Sequence, residues 1–293
     1  MKAKKSIILV PTDFSSVAEC AINHACVIAQ KSDDEVMLLH VINNVTKSTL
    51  KKSKEGIDTL VKKLHSQSKY YSEKYNLKVD YMFEEGSIFT TIEKVREEIN
   101  ASLVVMGTHG VKGVQHITGA WALKVVASSK VPVIVVQNKL PDSNGYQNIV
   151  SPIDHSAETK QKTKQTIGIA KILGSKVHLY KEAGYDASIE NKIKLNFQFV
   201  KKHLKENNIE VIEAKQENKS KDLAKDFIEY AKNISADMIV ILTTAEKDIK
   251  DLVLGPVEQM VINNTEQIPV MCVNPLYGLY KTERLASVVN LSF

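Results

Sequence analysis

The chain has little of what marks secreted, membrane-spanning or zinc-binding proteins. It holds only three cysteines in 293 residues, too few for the disulfide framework of a small secreted domain. No apolar run approaches the roughly eighteen residues that a membrane-spanning helix needs. Its eight histidines show no spacing typical of a metal site. These absences predict a protein of the reducing cytoplasm, with buried thiols, no membrane span and no metal site of its own.

The charged residues form no block of one sign. Lysine and arginine number 39 against 34 acidic residues, and the lysines are scattered without an arginine-rich or aromatic stripe. Because nucleic-acid binding normally needs such a stripe, the composition argues against nucleic acid as a partner. The lysine-rich N-terminus leads into a short apolar run, Ile7 to Val10, which Pro11 ends. This pattern predicts a strand rather than a signal peptide.

The most informative feature of the chain is an internal repeat. The segment Ile8–Ser15, Ile-Leu-Val-Pro-Thr-Asp-Phe-Ser, returns as Ile-Val-Ser-Pro-Ile-Asp-His-Ser at Ile149–Ser156, an offset of 141 residues (154 minus 13). Further along, Ala101–Met106 returns at Ala236–Ile241, an offset of 135 (236 minus 101). A self-similarity of this length predicts two copies of one domain, and 293 residues suit two domains of ordinary size.

A turn-rich stretch separates the two copies. The residues in it that favour turns are Pro141, Asp142, Ser143, Asn144 and Gly145. We therefore predict a first domain over residues 1–137, a linker over 138–147 and a second domain over 148–275. The tail, 276–293, is rich in apolar residues. It is expected either to dock on its own chain or on a partner, or to fray as chain ends do.

In each half, short β-branched runs alternate with longer amphipathic segments. The short runs predict strands at Ser6–Val10, Glu35–Val41, Lys78–Phe83, Leu103–Met106, Val133–Val136, Ile149–Ser151, Lys176–Tyr180, Ile209–Glu213, Met238–Leu242 and Val270–Val273. The amphipathic segments predict helices at Ser15–Lys31, Thr49–Tyr75, Ile88–Ile99, Ala120–Ser128, Ala157–Leu173, Ser188–Asn207, Ser220–Asn233 and Pro256–Asn263. Strands that are apolar throughout are typical of parallel sheets covered on both faces. The alternation predicts an α/β fold of two tandem open, doubly wound five-stranded parallel sheets.

In a doubly wound sheet, ligands bind outside the carboxyl ends of the strands, near the point where the strand order reverses. Two first-half segments reach that edge, one at Pro11–Ser15 and the other at 106–121. Glycines in the second segment would let backbone N–H groups approach a phosphate; they are Gly107, Gly110 and Gly113. Asp13 would accept a hydrogen bond from a ribose hydroxyl or a base amine, and His109 and Lys112 would add positive charge.

Each of these residues also has a simpler interpretation. The glycines can be tight-turn residues alone, and His109 and Lys112 can be solvated loop residues. Asp13 can cap the following helix, although Ser15 is better placed to do so. Packing or other structural roles suit three further residues, Trp121, His40 and His178.

Three motifs together, Ile8–Ser15, Val104–Gly110 and Lys124–Val136, carry a resemblance to a known family. They are similar to those of the universal stress proteins in their tandem form, and the resemblance covers nearly the whole chain apart from the tail. It implies five-stranded parallel sheets that pair through their last strands, here Val133–Val136 and Val270–Val273, within one chain or in a homodimer. Many members of this family bind ATP or AMP, and others act in stress responses without a nucleotide.

Nucleotide-binding members of that family carry a motif of Gly, two residues, Gly, nine residues, then Gly followed by Ser or Thr. Gly107, Gly110 and Gly119 match its glycines, but only eight residues separate the last two (119 minus 110 minus 1). Ala120 stands where the hydroxyl residue belongs, and losing one charge-assisted hydrogen bond costs about 1.5–3 kcal/mol. The resemblance therefore implies a weakened site for ATP or AMP. Its candidate residues are Pro11, Thr12, Asp13, Val41, Met106, Gly107, His109, Gly110, Gly113, Gly119 and Ala120.

The second half departs further from that motif. Leu-Thr-Thr-Ala at 242–245 stands where the first half has Gly-Thr-His-Gly. Asp154 and Gly255 persist, but Pro256 removes a backbone donor. Acidic residues of the same loop, Glu246, Asp248 and Asp251, would repel phosphate. We expect this half to be a structural or pairing partner rather than a nucleotide site.

Three functions stay open at this point. The first is a stress-response protein with weak ATP or AMP binding in its first half. It would act by association or signalling with an unnamed protein partner rather than by catalysis. The second is a nucleotide-independent dimerisation scaffold. The third is a slow ATPase, against which the sequence shows no acid–base pair, nucleophile elbow, Walker lysine motif or metal cluster.

Overall fold

The computed structural model describes residues 5–53, 56–108, 119–182, 184, 186–214, 223–243 and 254–275. The chain divides into two compact units, Met1–Leu140 and Pro141–Phe293. This division falls inside the stretch predicted as the linker, 138–147. The predicted tail at 276–293 and the acidic residues Glu246, Asp248 and Asp251 lie outside the described residues.

The first unit alternates strands and helices. Its elements are β1 (Ile7–Pro11), α1 (Ser16–Ser32), β2 (Glu35–Ile42), α2 (Asn44–Ser53), α3 (Ile57–Tyr75), β3 (Val79–Glu85), α4 (Ile88–Glu98), β4 (Leu103–Gly107), α5 (Gly119–Ser128) and β5 (Val133–Val136). The strands pair in parallel in the order β3-β2-β1-β4-β5. The chain runs outward from β1 to β3 and then returns across β1 to β4, so the strand order reverses between β1 and β4.

The second unit repeats this arrangement. Its elements are β6 (Asn148–Ile153), α6 (Thr159–Leu173), β7 (Lys176–Lys181), α7 (Ala187–Glu206), β8 (Val211–Glu213), α8 (Leu223–Asn233), β9 (Met238–Leu242), α9 (Pro256–Ile262) and β10 (Val270–Val273). The parallel order β10-β9-β6-β7-β8 corresponds strand for strand to β5-β4-β1-β2-β3. The predicted α/β fold of two tandem five-stranded parallel sheets is therefore confirmed. The start predicted for α8, at Ser220, lies outside the described residues.

Burial explains why the strands read as continuous apolar runs. All four residues of β5 and all four of β10 are buried, because helices cover both faces of a doubly wound sheet. The three cysteines are buried as well, and all are free thiols. Among the described helices, none is long and apolar enough to cross a membrane.

The prediction of one long helix over Thr49–Tyr75 was wrong, because two helices occupy this region. The first, α2, already begins at Asn44, where the Asn43 side chain accepts a hydrogen bond from the Thr46 N–H at 2.9 Å. The second, α3, begins after Gly56, whose backbone is extended with φ −84° and ψ 172°. Glycine is a poor helix former, and the apolar spacing on either side of it gave no sign of the break.

A tight turn leads from β1 into α1. Phe14 adopts the left-handed conformation at φ 63°, which is uncommon for a bulky side chain. The Thr12 hydroxyl accepts from the Phe14 N–H at 3.2 Å, and the ring of Phe14 stacks on His40 at 5.1 Å between centroids. The Ser15 hydroxyl accepts from the Ala18 N–H at 3.3 Å, so the predicted cap by Ser15 is confirmed. This turn holds Thr12 and Asp13 at the carboxyl edge of the sheet.

Candidate functional site

A cavity of about 150 Å³ lies in the first unit at the carboxyl ends of β1, β2 and β4. It forms where the strand order reverses. The pairing of β1 with β4 joins Ile8 to Leu103 and Leu9 to Val104, whereas β1 continues to Pro11. The strand ends beyond this pairing leave a crevice, as open parallel sheets do at their switch points. We call this space the first-half cavity.

Six of the residues predicted for a nucleotide site line the first-half cavity. They are Pro11, Thr12, Asp13, Val41, Met106 and Gly107. Three more, His109, Gly110 and Gly113, lie outside the described residues, as does Lys112. Gly119 and Ala120 are the first two residues of α5, and the two that follow them, Trp121 and Ala122, line the cavity. The structure thus brings together strand ends that are about a hundred residues apart in the sequence.

His40 also lines the cavity, although the sequence suggested only a structural role for it. Its Nδ1 lies 2.8 Å from the Thr12 carbonyl oxygen. Since a carbonyl only accepts, Nδ1 carries the hydrogen. Burial lowers the pKa of His40, opposed by this hydrogen bond and by the charge of Asp13. The neutral ring therefore has its acceptor at Nε2.

Two buried polar atoms in the walls of the cavity lack partners within the part of the chain that the structure describes. They are the Nε2 of His40 and the hydroxyl of Thr108. The two side chains are 7% and 3% exposed. Buried polar groups nearly always have a partner, so each exception calls for an explanation. Other wall residues that the sequence did not indicate are Asn43, which precedes α2, and the helix residues Thr46, Ile88 and Ile92.

Gly107 has a packing reason to be glycine that needs no ligand. A Cβ atom added there would lie 2.5 Å from Cγ1 of Val17 and 2.7 Å from the Val17 carbonyl oxygen. The end of β4 therefore approaches α1 so closely that a side chain does not fit. Close packing of a helix on a strand is therefore one reason for this glycine, beside the phosphate approach that the sequence predicts.

The close approach of Gly107 to α1 can be tested by substitution. Gly107→Ala is expected to lower the free energy of unfolding by about 1–3 kcal/mol, because α1 must shift to admit the methyl group. Gly56→Ala is the matched control, since its added Cβ would meet nothing closer than 3.9 Å. Urea unfolding of both variants measures the difference. Equal stability of the two would contradict the close approach.

The second unit carries a glutamate, Glu182, where the first has the cavity residue Val41. At the offset of 141, Pro152, Asp154 and Glu182 correspond to Pro11, Asp13 and Val41 (182 minus 41), all of which line the first-half cavity. By the same offset Lys162 corresponds to Ala21. Lys162 is only 3% exposed, and its ammonium group donates to the Pro152 carbonyl.

This group of three residues, Asp154, Lys162 and Glu182, is referred to below as the lysine cluster. Burial lowers the pKa of Lys162, and the charges of Asp154 and Glu182 oppose that shift. Burial, with the charge of Asp154, raises the pKa of Glu182 to about 7. Lys162 could not be recognised as buried from its own position, because it lies on a helix with several lysines. Its alignment with Ala21, which is fully buried, is the signal that could have found it.

No group of three or more histidine, cysteine, aspartate or glutamate side chains is placed to hold a metal ion within the described ranges.

Comparison with known proteins identifies the same family by its family model and by individual relatives. The model of the universal stress protein family matches residues 6–137 and 145–274. Universal stress protein MJ0577 of Methanocaldococcus jannaschii is 30% identical over 153 residues, which are 45% of this chain and 94% of that protein. Universal stress protein MJ0531 of the same organism is 32% identical over 137 residues, 44% of this chain and 81% of that protein.

A solved structure resembles the chain over both halves. The universal stress protein from Archaeoglobus fulgidus has a TM-score of 0.66 and covers 92% of this chain and 96% of its own, at 18% identity. At that identity the likeness shows the shared fold alone.

Proposed function

The chain belongs to the universal stress protein family, and from that premise we propose that its first half binds an adenine nucleotide, ATP or AMP. The protein would then act in the stress response by association rather than by catalysis. The observation that carries the proposal is the contrast between the two halves. The first has an open cavity at the switch point, and the second has Glu182 at the position of the cavity residue Val41, with the charge of the buried Lys162 acting on it.

The size of the first-half cavity fits part of a nucleotide. Ligand pockets usually measure about 300–1,000 Å³, and this cavity measures about 150 Å³. It is therefore suited to the base, with the ribose and phosphates extending past its rim. Asp13, exposed at that rim, is an acceptor for the ribose hydroxyls or the base amine.

The start of α5 is suited to the phosphates. This helix has ten residues and no acidic residue in its first turn, so its positive end attracts an anion. Trp121 and Ala122 of that turn line the cavity, so a nucleotide bound there would have the start of this helix beside it. Ala120 offers its backbone N–H but no hydroxyl, which is why we expect weak binding.

The direct test is calorimetric titration of the full chain with ATP and with AMP, preceded by mass spectrometry of small molecules released from the freshly purified protein. One nucleotide per chain is expected. No binding of either nucleotide would favour the second candidate, a nucleotide-independent scaffold. Phosphate release above background from ATP would instead favour a slow ATPase.

Ala120→Ser is expected to raise the affinity for ATP several-fold. The serine restores the hydroxyl donor at the helix start, and one such hydrogen bond to a charged group contributes about 1.5–3 kcal/mol at most. Ala127→Ser adds the same hydroxyl two turns further along α5 and should leave the affinity unchanged. Calorimetry with ATP and AMP measures both. An unchanged affinity in Ala120→Ser would place the phosphates away from this helix.

The pairing of the last strands, Val133–Val136 and Val270–Val273, stays a prediction, as does a homodimer. Exposed edge strands tend to pair, and the family resemblance implies that these two do so.

A further inference from the structure

A groove of about 550 Å³ adjoins the first-half cavity. Its walls come from the ends of β2 and β3 and from the starts of α2, α4 and α5. Three residues, Asn43, Ile88 and Trp121, line both the groove and the cavity. The two spaces therefore meet at these residues, and we call the larger one the adjoining groove.

We propose that the ligand of the first half is a dinucleotide, in which an adenine nucleotide is joined through its phosphates to a second nucleoside, and that the adjoining groove holds this second nucleoside. The inference rests on the proposed function, because it needs the first adenine base in the first-half cavity. It goes further by naming a class of ligand that a mononucleotide site would not select.

The size of the adjoining groove suits a nucleoside. At about 550 Å³ it lies within the usual range of ligand pockets, about 300–1,000 Å³. A mononucleotide with its base in the first-half cavity and its phosphates at the start of α5 would leave this volume unused. A ligand with a second nucleoside would fill it.

Trp121 stands at the junction of the two spaces and is held in place by its neighbours. The Phe89 ring of α4 stacks on the indole at 6.1 Å between centroids. The ammonium group of Lys124 lies 5.9 Å from the centre of each of these rings. Because the indole is already ordered, little freedom is lost when a base packs against it, and stacking on an aromatic side chain favours any base. Lys124 adds positive charge beside the rings, which suits the linking phosphates.

The polar side chains of the adjoining groove offer both donors and acceptors. Lys47 and Glu85 form an ion pair at 2.5 Å, and both side chains are about half exposed. Ser87 precedes α4, and its hydroxyl makes no capping bond to that helix. Since the edges of bases carry donors as well as acceptors, this set of groups can pair with a base or with its ribose.

The order of the sites follows the order of the parts of a dinucleotide. Gly119 and Ala120 open α5, where we expect the phosphates, and Trp121 comes directly after them. A phosphate chain at this helix start would have the first-half cavity and the adjoining groove on either side of Trp121. The Gly86 N–H donates to the Ile42 carbonyl at 3.3 Å, which ties the end of β3 to the end of β2. The backbone therefore fixes the walls of the groove before a ligand binds.

Calorimetric titration of the full chain with ATP and with diadenosine tetraphosphate tests the inference. The two ligands carry similar charge at neutral pH, so electrostatic attraction alone does not separate them. The dinucleotide is expected to bind about tenfold more tightly, which is within what one stacked base contributes. It should also quench the fluorescence of Trp121, the only tryptophan of the chain, more than ATP does.

Ser87→Tyr places a ring in the adjoining groove and should lower the affinity for the dinucleotide to about that for ATP. Thr90→Tyr is the matched control, because Thr90 is an exposed residue in the first turn of α4 and lines neither space. This control variant should keep the preference for the dinucleotide.

The outcomes separate this inference from the proposed function. A preference of no more than about twofold, which two adenosine ends explain without a new contact, would overturn the inference and leave mononucleotide binding standing. A preference that persists in Ser87→Tyr, or that Thr90→Tyr loses equally, would place the second nucleoside outside the adjoining groove and would also overturn it. Binding of neither ligand would contradict the proposed function and this inference with it.

Discussion

Val41→Glu is expected to lower the affinity of the first half for ATP by at least about a hundredfold, since placing like charges together costs several kcal/mol. Val41 is 8% exposed and lies at the end of β2 in the wall of the first-half cavity. The substitution copies Glu182 of the second half to its counterpart position. The new carboxylate would take up the space that the base would occupy, and its charge would repel the phosphates.

Val41→Gln separates these two effects, because it fills the same space without charge and should lose less affinity for ATP than the glutamate variant does. Calorimetric titration with ATP measures both variants, and circular dichroism checks that they fold. An ATP affinity in Val41→Glu equal to that of the wild type would mean that the nucleotide binds outside this cavity.

Lys162→Met is expected to lower the free energy of unfolding by about 1–3 kcal/mol at neutral pH, the usual cost of leaving a buried acceptor, here the Pro152 carbonyl, without its donor. The methionine fills most of the space of the lysine but leaves Asp154 and Glu182 without a cation. Urea unfolding of the full chain measures the loss. Adding Glu182→Gln should recover part of it, because one of the two uncompensated carboxylates is then neutral.

Lys160→Met is the control for this substitution. Lys160 is an exposed lysine of the same helix, and its ammonium group lies 5.3 Å from the centre of the Phe199 ring. Its loss should cost no more than about 1 kcal/mol, the strength of an exposed cation–π contact. A Lys162→Met variant as stable as this control would mean that the lysine cluster contributes nothing to folding.

Some of the site residues could be recognised from the sequence around them, and others only from contacts between strands. Pro11, Thr12 and Asp13 could be placed from the sequence, because the end of a buried strand is marked by its apolar run and by proline. Val41, Met106 and Gly107 could be placed in the same way, because they lie at the carboxyl ends of strands, where ligands bind in open α/β sheets. His40 could not be assigned, because its contact with the Thr12 carbonyl joins two strands.

Helix boundaries show a second limit. Periodicity reports which face of a helix is buried rather than where the helix begins or ends. The break at Gly56 and the early start after Asn43 depend on single residues whose effect is local and small. An apolar pattern averaged over several turns does not register them.

The sequence by itself determined the repeat, the two α/β sheets and the edge at which a ligand would lie. Each of these follows from patterns that span many residues, so that no single contact decides them. Only the tertiary structure decided that Gly107 packs too closely on Val17 to admit a side chain, and that Lys162 is buried and donates to the Pro152 carbonyl of β6. Both depend on distances of a few ångströms between elements that are separated in the sequence. At such distances one buried methyl group or charge changes how the elements pack.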